Sequence, residues 1–158
     1  MAKTSGSQFY SIDFHVHTPA SNDYKDKDAL ASDIVQKAID SKLDAIVITD
    51  HNTFAWVEKM REAARDTSII IFPGFEINSN GGHVLGVFDP SAKIDDVETA
   101  LIRCGIDKKD YGVETALGYP IEEVFSVIAD SGGIAIAAHV DKEKGFLRTI
   151  DQGVATIQ

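Results

Sequence analysis

Short apolar runs recur along the chain and predict the strands of a sheet. Three of them are continuous, and the run at 45–48, which polar residues bound, is typical of a strand buried on both faces. A further segment alternates apolar and polar residues, which is the pattern of a strand with one polar face. In sequence order the predicted strands are residues 12–17, 45–48, 69–72 and 134–138.

The stretches between these runs carry apolar residues at helical spacing and predict four helices. Pro120 suits the first turn of the last helix, and Gly132-Gly133 would end it. A hairpin-like insertion at 77–88 and a polar connector near 105–119 interrupt the alternation. Strands alternating with helices predict an α/β fold around a parallel sheet, open or closed into a barrel. The apolar helix positions are Leu30, Ile34 and Ala38; Trp56, Met60 and Ala63; Val97, Leu101 and Cys104; and Ile121, Val124, Phe125 and Ile128.

Composition is that of a soluble globular protein. The 158 residues are 44% hydrophobic and 25% charged, which allows one domain with a core, and we expect a tail at 1–9 and a domain at 10–158. The net charge of −10 opposes non-specific attraction to nucleic acids. Cys104 is expected to be a buried small hydrophobe. No signal-like stretch or eighteen-residue apolar run occurs, which predicts a cytoplasmic protein without a membrane partner.

The histidines stand at or just beyond the ends of the predicted strands. His15 and His17 are two residues apart in an extended segment, so their side chains point the same way. His51 and His139 end two of the continuous runs, and a third run leads through a Pro-Gly pair to Glu76. Because ligands collect at the carboxyl ends of parallel strands, these residues would converge on one metal site.

Each of these histidines also has a structural interpretation when taken alone. His51 or His139 would more often be a satisfied polar residue at a strand end. His83, which begins segment 83–88, could merely cap a hairpin strand. The joint pattern favours a metal site, because imidazole and carboxylate ligands gathered at strand ends have no other evident purpose.

Five short motifs follow one another along the chain: His15-Val16-His17-Thr18, Thr49-Asp50-His51-Asn52, Pro73-Gly74-Phe75-Glu76, His83-Val84-Leu85-Gly86 and Ala138-His139. Their order resembles the polymerase and histidinol phosphatase superfamily, known as PHP, over residues 10–158. The resemblance implies a distorted (β/α)7 barrel with two or three divalent ions that hydrolyses phosphate esters. Nitrogen and carboxylate ligands without thiolates suit Zn²⁺, Mn²⁺ or Fe²⁺.

Carried over by position, the resemblance also assigns the residues of the centre. His15 and His17 would bind one ion, and Glu76 would bridge two. Asp13 and Asp50 would orient ligand imidazoles, as metal-bound histidines generally require. The expected catalytic residues are Glu76, His51 and His139, and the expected metal ligands are His15, His17, Asp23, His51, Glu76, His83 and His139.

Two departures from the family pattern affect this assignment. Asn22 stands where the family commonly has an aspartate, and Asp23, one residue later, is the expected replacement ligand. The late Asp-x-His pair of the family does not follow His139, and residues 153–158 resemble the start of a further strand. We therefore expect a barrel that is incomplete at the C-terminus and a chain that is weakly active or inactive by itself.

The implied chemistry uses metal-activated water and needs no protein nucleophile. Expected substrates are phosphorylated small molecules or nucleotides, with nucleic acid only as an end substrate. Lys25, Lys27 or Arg148 could hold the phosphate, although such residues are usually solvated surface charges. Two alternatives stay open: an amidohydrolase-like metal hydrolase, which also begins with His-x-His, and a non-catalytic, metal-stabilised regulatory module of a larger protein such as a PHP–ATPase fusion.

Overall fold

A computed structural model describes residues 9–115 and 117–141 of the chain. Within these residues the strands are β1 (Ile12–Val16), β2 (Ala45–Ile48), β3 (Ile70–Asn80), β4 (Gly82–Val87), β5 (Leu117–Pro120) and β6 (Ile134–Ala137). The helices are α1 (Ala31–Asp40), α2 (Val57–Ala64), α3 (Ile94–Arg103) and α4 (Ile121–Asp130), with a short 3₁₀ helix at Lys108–Asp110. The expected strand at 153–158 and Arg148 lie outside the described residues. None of the helices in the described ranges is long and apolar enough to cross a membrane.

The sheet is mixed and curls toward a barrel. β1, β2 and β3 are parallel neighbours, and β4 pairs antiparallel with both β3 and β6. β1 and β6 are the two ends of the strand order β1-β2-β3-β4-β6. Nevertheless, the rings of His15 and His139 stack with their centroids 5.3 Å apart. The sheet therefore curls until the carboxyl ends of its outer strands meet, and the predicted α/β fold and β3–β4 hairpin are confirmed.

β3 is longer than the predicted strand at 69–72, and this corrects the expected place of Glu76. The strand continues through Pro73 and Gly74, so Glu76 lies inside it rather than beyond its end. Pro73 is tolerated because pairing changes there from β2 on one side to β4 on the other. Gly74 is required because a Cβ atom there would lie 2.5 Å from the carbonyl oxygen of Gly86.

The predicted polar connector at 105–119 contains ordered structure that its composition did not indicate. It includes the 3₁₀ helix and β5, which pairs in parallel with the end of β3 at Asn78 and Asn80. Such a short strand containing glycine and proline lacks the apolar run that predicts strands. Pro120 immediately precedes α4 instead of occupying its first turn.

The helices cover the outer face of the sheet in two pairs. Ile46 and Ile48 of β2 pack with α1 and α2, whereas α3 and α4 pack on β3 and β4. The intervening Val47 points to the inner face, where it packs with Leu85. Each fully buried aliphatic side chain of this kind stabilises the fold by roughly 1.5–3 kcal/mol. The buried residues of α2 are Val57, Met60 and Ala64, and the predicted apolar positions Trp56 and Ala63 are partly buried against the same cluster.

Cys104 follows α3, is fully buried as predicted, and has its thiol pKa raised to about 12 by burial. Because the thiolate is the reactive form, its population at pH 8 should be about 10³-fold below that of an ordinary thiol. We expect a chromogenic aromatic disulfide to label the native chain far more slowly than the denaturant-unfolded chain, which is the control. Fast, stoichiometric labelling of the native chain would contradict the buried placement.

Candidate metal centre

One buried carboxylate, Glu76, lies at the middle of a shell of imidazole rings. Its side chain is only 1% exposed. Three rings approach Oε2: His15 Nε2 at 3.0 Å, His17 Nε2 at 3.0 Å and His51 Nδ1 at 3.3 Å. Two approach Oε1: His83 Nδ1 at 2.9 Å and His139 Nε2 at 2.9 Å. All the histidines of the sequence therefore meet at a single glutamate.

β1 and the residues just after it deliver two of these rings to the same side of the sheet. His15 and His17 are two residues apart in an extended segment and therefore share one face of it. Their Nε2 atoms lie 3.0 Å apart. The register between β1 and β2 shifts between Asp13 and Val16, a local irregularity that contains His15. The prediction that His15 and His17 point the same way is confirmed.

The loop after β2 continues to pair with β3 and thereby places His51. The Glu76 amide donates to the carbonyl oxygen of Asp50 at 3.0 Å, and the Asn52 amide donates to that of Glu76 at 2.8 Å. His51 and Glu76 thus form an isolated parallel bridge beyond the end of β2. Asn52 makes this possible with a left-handed backbone at φ +50°, a region that asparagine tolerates better than most residues.

The antiparallel direction of β4 brings His83 to the same rim as the other histidines. His83 lies near the start of β4, opposite Asn78 of β3. Its carbonyl oxygen accepts the amide of Ala138 at 3.0 Å, which sets His139 beside it. His139 has a positive φ of 45°, a strain on the order of 1 kcal/mol for a residue other than glycine.

Asp23, rather than Asn22, faces the histidines from the loop between β1 and α1. Its Oδ2 lies 3.6 Å from His51 Nε2, and its Oδ1 lies 3.9 Å from His17 Nδ1. With 44% of its side chain exposed, Asp23 forms the solvent-facing side of the cluster. The replacement ligand expected from the sequence is therefore close enough to share a cation with two imidazoles.

The geometry and chemistry of these donors fit divalent cations. Three groups have donor atoms that all lie within 4.8 Å of one another: His15, His17 and Glu76; His17, Asp23 and His51; and His51, Glu76 and His83. Two ligands on one tetrahedral zinc ion lie about 3.4 Å apart, so these spacings suit shared coordination. The buried His83 Nε2 and His139 Nδ1 atoms have no hydrogen-bond partner among the described residues. A buried ring nitrogen normally has a partner, so each of these atoms has an unused lone pair or N–H group that a cation or a hydrogen-bonding group could satisfy.

Burial and the close approach of charged groups shift the pKa values of the residues in the centre. Burial alone would raise the pKa of the Glu76 carboxyl, but hydrogen bonds from the surrounding imidazoles hold it well below its usual range. Burial opposes the charge of His17, yet its hydrogen bond to Glu76 and the nearby carboxylates raise its pKa. Burial lowers the pKa of His51 despite the charges of Glu76 and Asp23. An ionised carboxylate and a neutral imidazole are the forms that bind metal, so the shifts at Glu76 and His51 favour a cation, whereas the shift at His17 means that a cation there must displace a proton.

Asp50 holds the β1–α1 loop and not an imidazole, which corrects its predicted role. Its carboxylate accepts hydrogen bonds from Thr18 N and Thr18 Oγ1, both at 2.6 Å, and from Ser21 Oγ at 2.8 Å. Ser21 Oγ in turn accepts the amide of His51 at 2.9 Å. Burial raises the pKa of Asp50, and these hydrogen bonds oppose that rise. The sequence did not predict these roles of Thr18 and Ser21. The only signal for them was their position after the first histidine pair.

Asp13 and the two lysines near the centre differ in what they contact. Asp13 accepts the backbone amide of His15 at 3.0 Å, so it holds the backbone instead of the ring. Lys27 donates to the carbonyl oxygens of Pro19 and Ser21 and thus stabilises the loop. Lys25 lines a groove of about 420 Å³ beside the centre, together with His17, Asp23, Tyr24 and Asp26.

The fold and the site define an α/β protein with a histidine-rich candidate metal centre at the carboxyl rim of its sheet. The family model described as the PHP domain matches residues 13–141. The chain belongs to this family, and the resemblance found in its motifs is confirmed.

Solved structures that share the fold include the following two. A candidate metal-dependent phosphoesterase from Bifidobacterium adolescentis has a TM-score of 0.60 and 14% identity, covering 92% of this chain and 74% of its own. An amidohydrolase from Chromobacterium violaceum, solved with bound sulfate and no metal, has a TM-score of 0.61 and 16% identity, covering 93% of this chain and 72% of its own. No curated protein matches the chain at a significant level.

Glu76→Gln tests the centre because it removes the shared charge with little change in volume. We expect the affinity for Mn²⁺ or Zn²⁺ to fall by at least about 100-fold, since two of the three donor groups lose their carboxylate. Isothermal titration calorimetry measures the affinity, and circular dichroism checks that the fold survives. Glu62→Gln, at an exposed carboxylate paired with Arg65, is the matched charge control. Wild-type affinity in Glu76→Gln would make Glu76 merely a polar strand residue.

Proposed function

We propose that the chain is a metal-dependent phosphoesterase in which Glu76, His51 and His139 are the catalytic residues. The observation that carries the proposal is the convergence of five imidazoles on one buried, ionised carboxylate at the rim of the sheet. Membership of the PHP domain family supports the same chemistry. The seven-stranded barrel and the count of two to three divalent ions that the resemblance implies are part of this proposal.

Ions bound in the centre would polarise the phosphate ester and lower the pKa of a bound water. The three proposed catalytic residues contribute to the centre in different ways. Glu76 supplies the negative charge shared by neighbouring ligand groups. His51 lies between Glu76 and Asp23 and so links the buried and exposed sides of the centre. His139 approaches Glu76 at Oε1, beside His83 and stacked on His15.

The groove beside Asp23 is the proposed entrance for substrate. Lys25 is the cation that lines it, beside the carboxylates of Asp23 and Asp26, in a chain whose net charge is −10. A local lysine attracts a single phosphate, whereas the overall charge repels a long polyanion. We therefore propose a phosphorylated small molecule or nucleotide as the substrate, with nucleic acid accepted only at an end.

An amidohydrolase activity is the second candidate. Its support is the His15-x-His17 pair and the fold likeness to the amidohydrolase from Chromobacterium violaceum. A non-catalytic, metal-stabilised module is the third, because the same ligands could serve the fold alone. Activity separates these candidates, whereas metal content does not.

Parallel assays with a phosphoester and an amide test the proposal. In keeping with the weak activity expected from the sequence, we expect the Mn²⁺- or Zn²⁺-loaded chain to release p-nitrophenol from p-nitrophenyl phosphate slowly but above background, and to leave a p-nitroanilide intact. Chelator-treated protein is the background control. Turnover of the anilide alone would favour the amidohydrolase, and no turnover of either substrate by fully metal-loaded protein would favour the non-catalytic module.

Lys25→Gln tests the proposed entrance. Removing one exposed positive charge near the substrate should raise KM for a phosphomonoester by roughly 2- to 5-fold and leave kcat unchanged. The effect should shrink as salt is added, because exposed charges are screened. Lys93→Gln removes the same exposed charge at the start of α3, away from the groove, and is the control. Equal KM values for wild type and Lys25→Gln at low salt would remove Lys25 from the substrate site.

A further inference from the structure

A turn at Tyr111–Val113 joins the two loops that carry Asp23 and His51. The carbonyl oxygen of Gly112 accepts the amide of Asn22, the residue before Asp23, at 2.9 Å. The amide of Gly112 donates to the carbonyl oxygen of His51, also at 2.9 Å. One residue far along the chain therefore ties together the backbones beside two candidate ligands.

The turn is itself anchored to several elements. The Tyr111 hydroxyl donates to Glu98 of α3 at 3.2 Å, and its ring packs edge-on against Phe54 with centroids 5.7 Å apart. Val113 accepts the side-chain amide of Asn52 at 2.8 Å through its carbonyl oxygen. These contacts on both sides of Gly112 fix the position of the turn relative to α3 and to the loop after β2.

Only glycine satisfies the backbone at this position. Gly112 has a φ of +79°, in the region that side-chain-bearing residues rarely adopt. A Cβ atom there would lie 2.5 Å from the carbonyl oxygen of Ala20. Because that contact is with backbone, the β1–α1 loop itself would have to move, and Asp23 would move with it.

We infer that Gly112 is a positioning residue for the cation site formed by His17, Asp23 and His51. The inference rests on the metal centre of the proposed function and adds a part that none of the five motifs contains. The ligands on the far side of the centre, His15, His83 and His139, are placed instead by β1, β4 and β6. A change at Gly112 should therefore weaken the Asp23 side selectively.

Gly112→Ala, compared with Gly132→Ala, tests this inference. Gly132 has the same φ of +79°, but nothing lies within 4 Å of its ideal Cβ position. The control therefore reproduces the backbone strain without the clash. We expect Gly112→Ala to lose about one equivalent of Mn²⁺, or to bind it at least about 10-fold more weakly, and Gly132→Ala to match wild type. Elemental analysis after dialysis and titration calorimetry measure both quantities.

A second pair of variants shows whether the effect passes through Asp23. Asp23→Asn should lose the same equivalent, and adding Gly112→Ala to it should cause little further loss, because the two changes act on one site. Tyr111→Phe, which removes only the contact with Glu98, gives a milder change if Gly112→Ala does not fold. It should weaken Mn²⁺ binding by roughly 2- to 5-fold.

The outcomes separate this inference from the proposed function. Equal metal binding by Gly112→Ala and Gly132→Ala would overturn the positioning role and leave the metal centre intact. Additive losses in the Asp23→Asn background would also overturn it. Wild-type chain that binds no divalent metal would overturn the proposed function, and the positioning role would fall with it.

Discussion

The buried charge of Glu76 is the constraint on which the rest of the structure depends. An ionised carboxylate that is almost fully removed from water is costly unless several polar groups or a cation compensate it. Here the compensation comes from imidazoles on β1 and β4 and just beyond β1, β2 and β6, so these parts of the chain must meet at one point on β3. The curl of the sheet and the antiparallel direction of β4 are what allow this meeting.

The centre has two sides with different surroundings. On the inner side Glu76 and His83 are buried, and strand pairing sets their positions. On the outer side Asp23 is partly exposed and belongs to a loop that depends on hydrogen bonds from distant parts of the chain. Cations and substrate would therefore contact an inner side that strand pairing positions and an outer side that loop hydrogen bonds position. This division explains how one glutamate can serve several ligand groups while the site still opens to solvent.

Much of this arrangement could be predicted from the sequence because it depends on local periodicity. The alternation that aligns His15 with His17 is a property of any extended segment, and the apolar run that leads to His51 is a short strand buried on both faces. The passage of β3 through Pro73 and Gly74 could not be predicted, because it requires pairing partners to change at that point. The roles of Ser21 and Gly112 depend on hydrogen bonds to residues far away in sequence, which no local pattern records.

Anomalous X-ray diffraction from crystals of the Mn²⁺-loaded chain tests the central claim most directly. Data collected above and below the manganese edge locate the ion without reference to activity. The account predicts anomalous peaks between His15, His17 and Glu76 and between His17, Asp23 and His51, with ligand distances near those of Mn–N and Mn–O bonds. Fully loaded crystals that show peaks only at the protein surface, and none among these side chains, would contradict it.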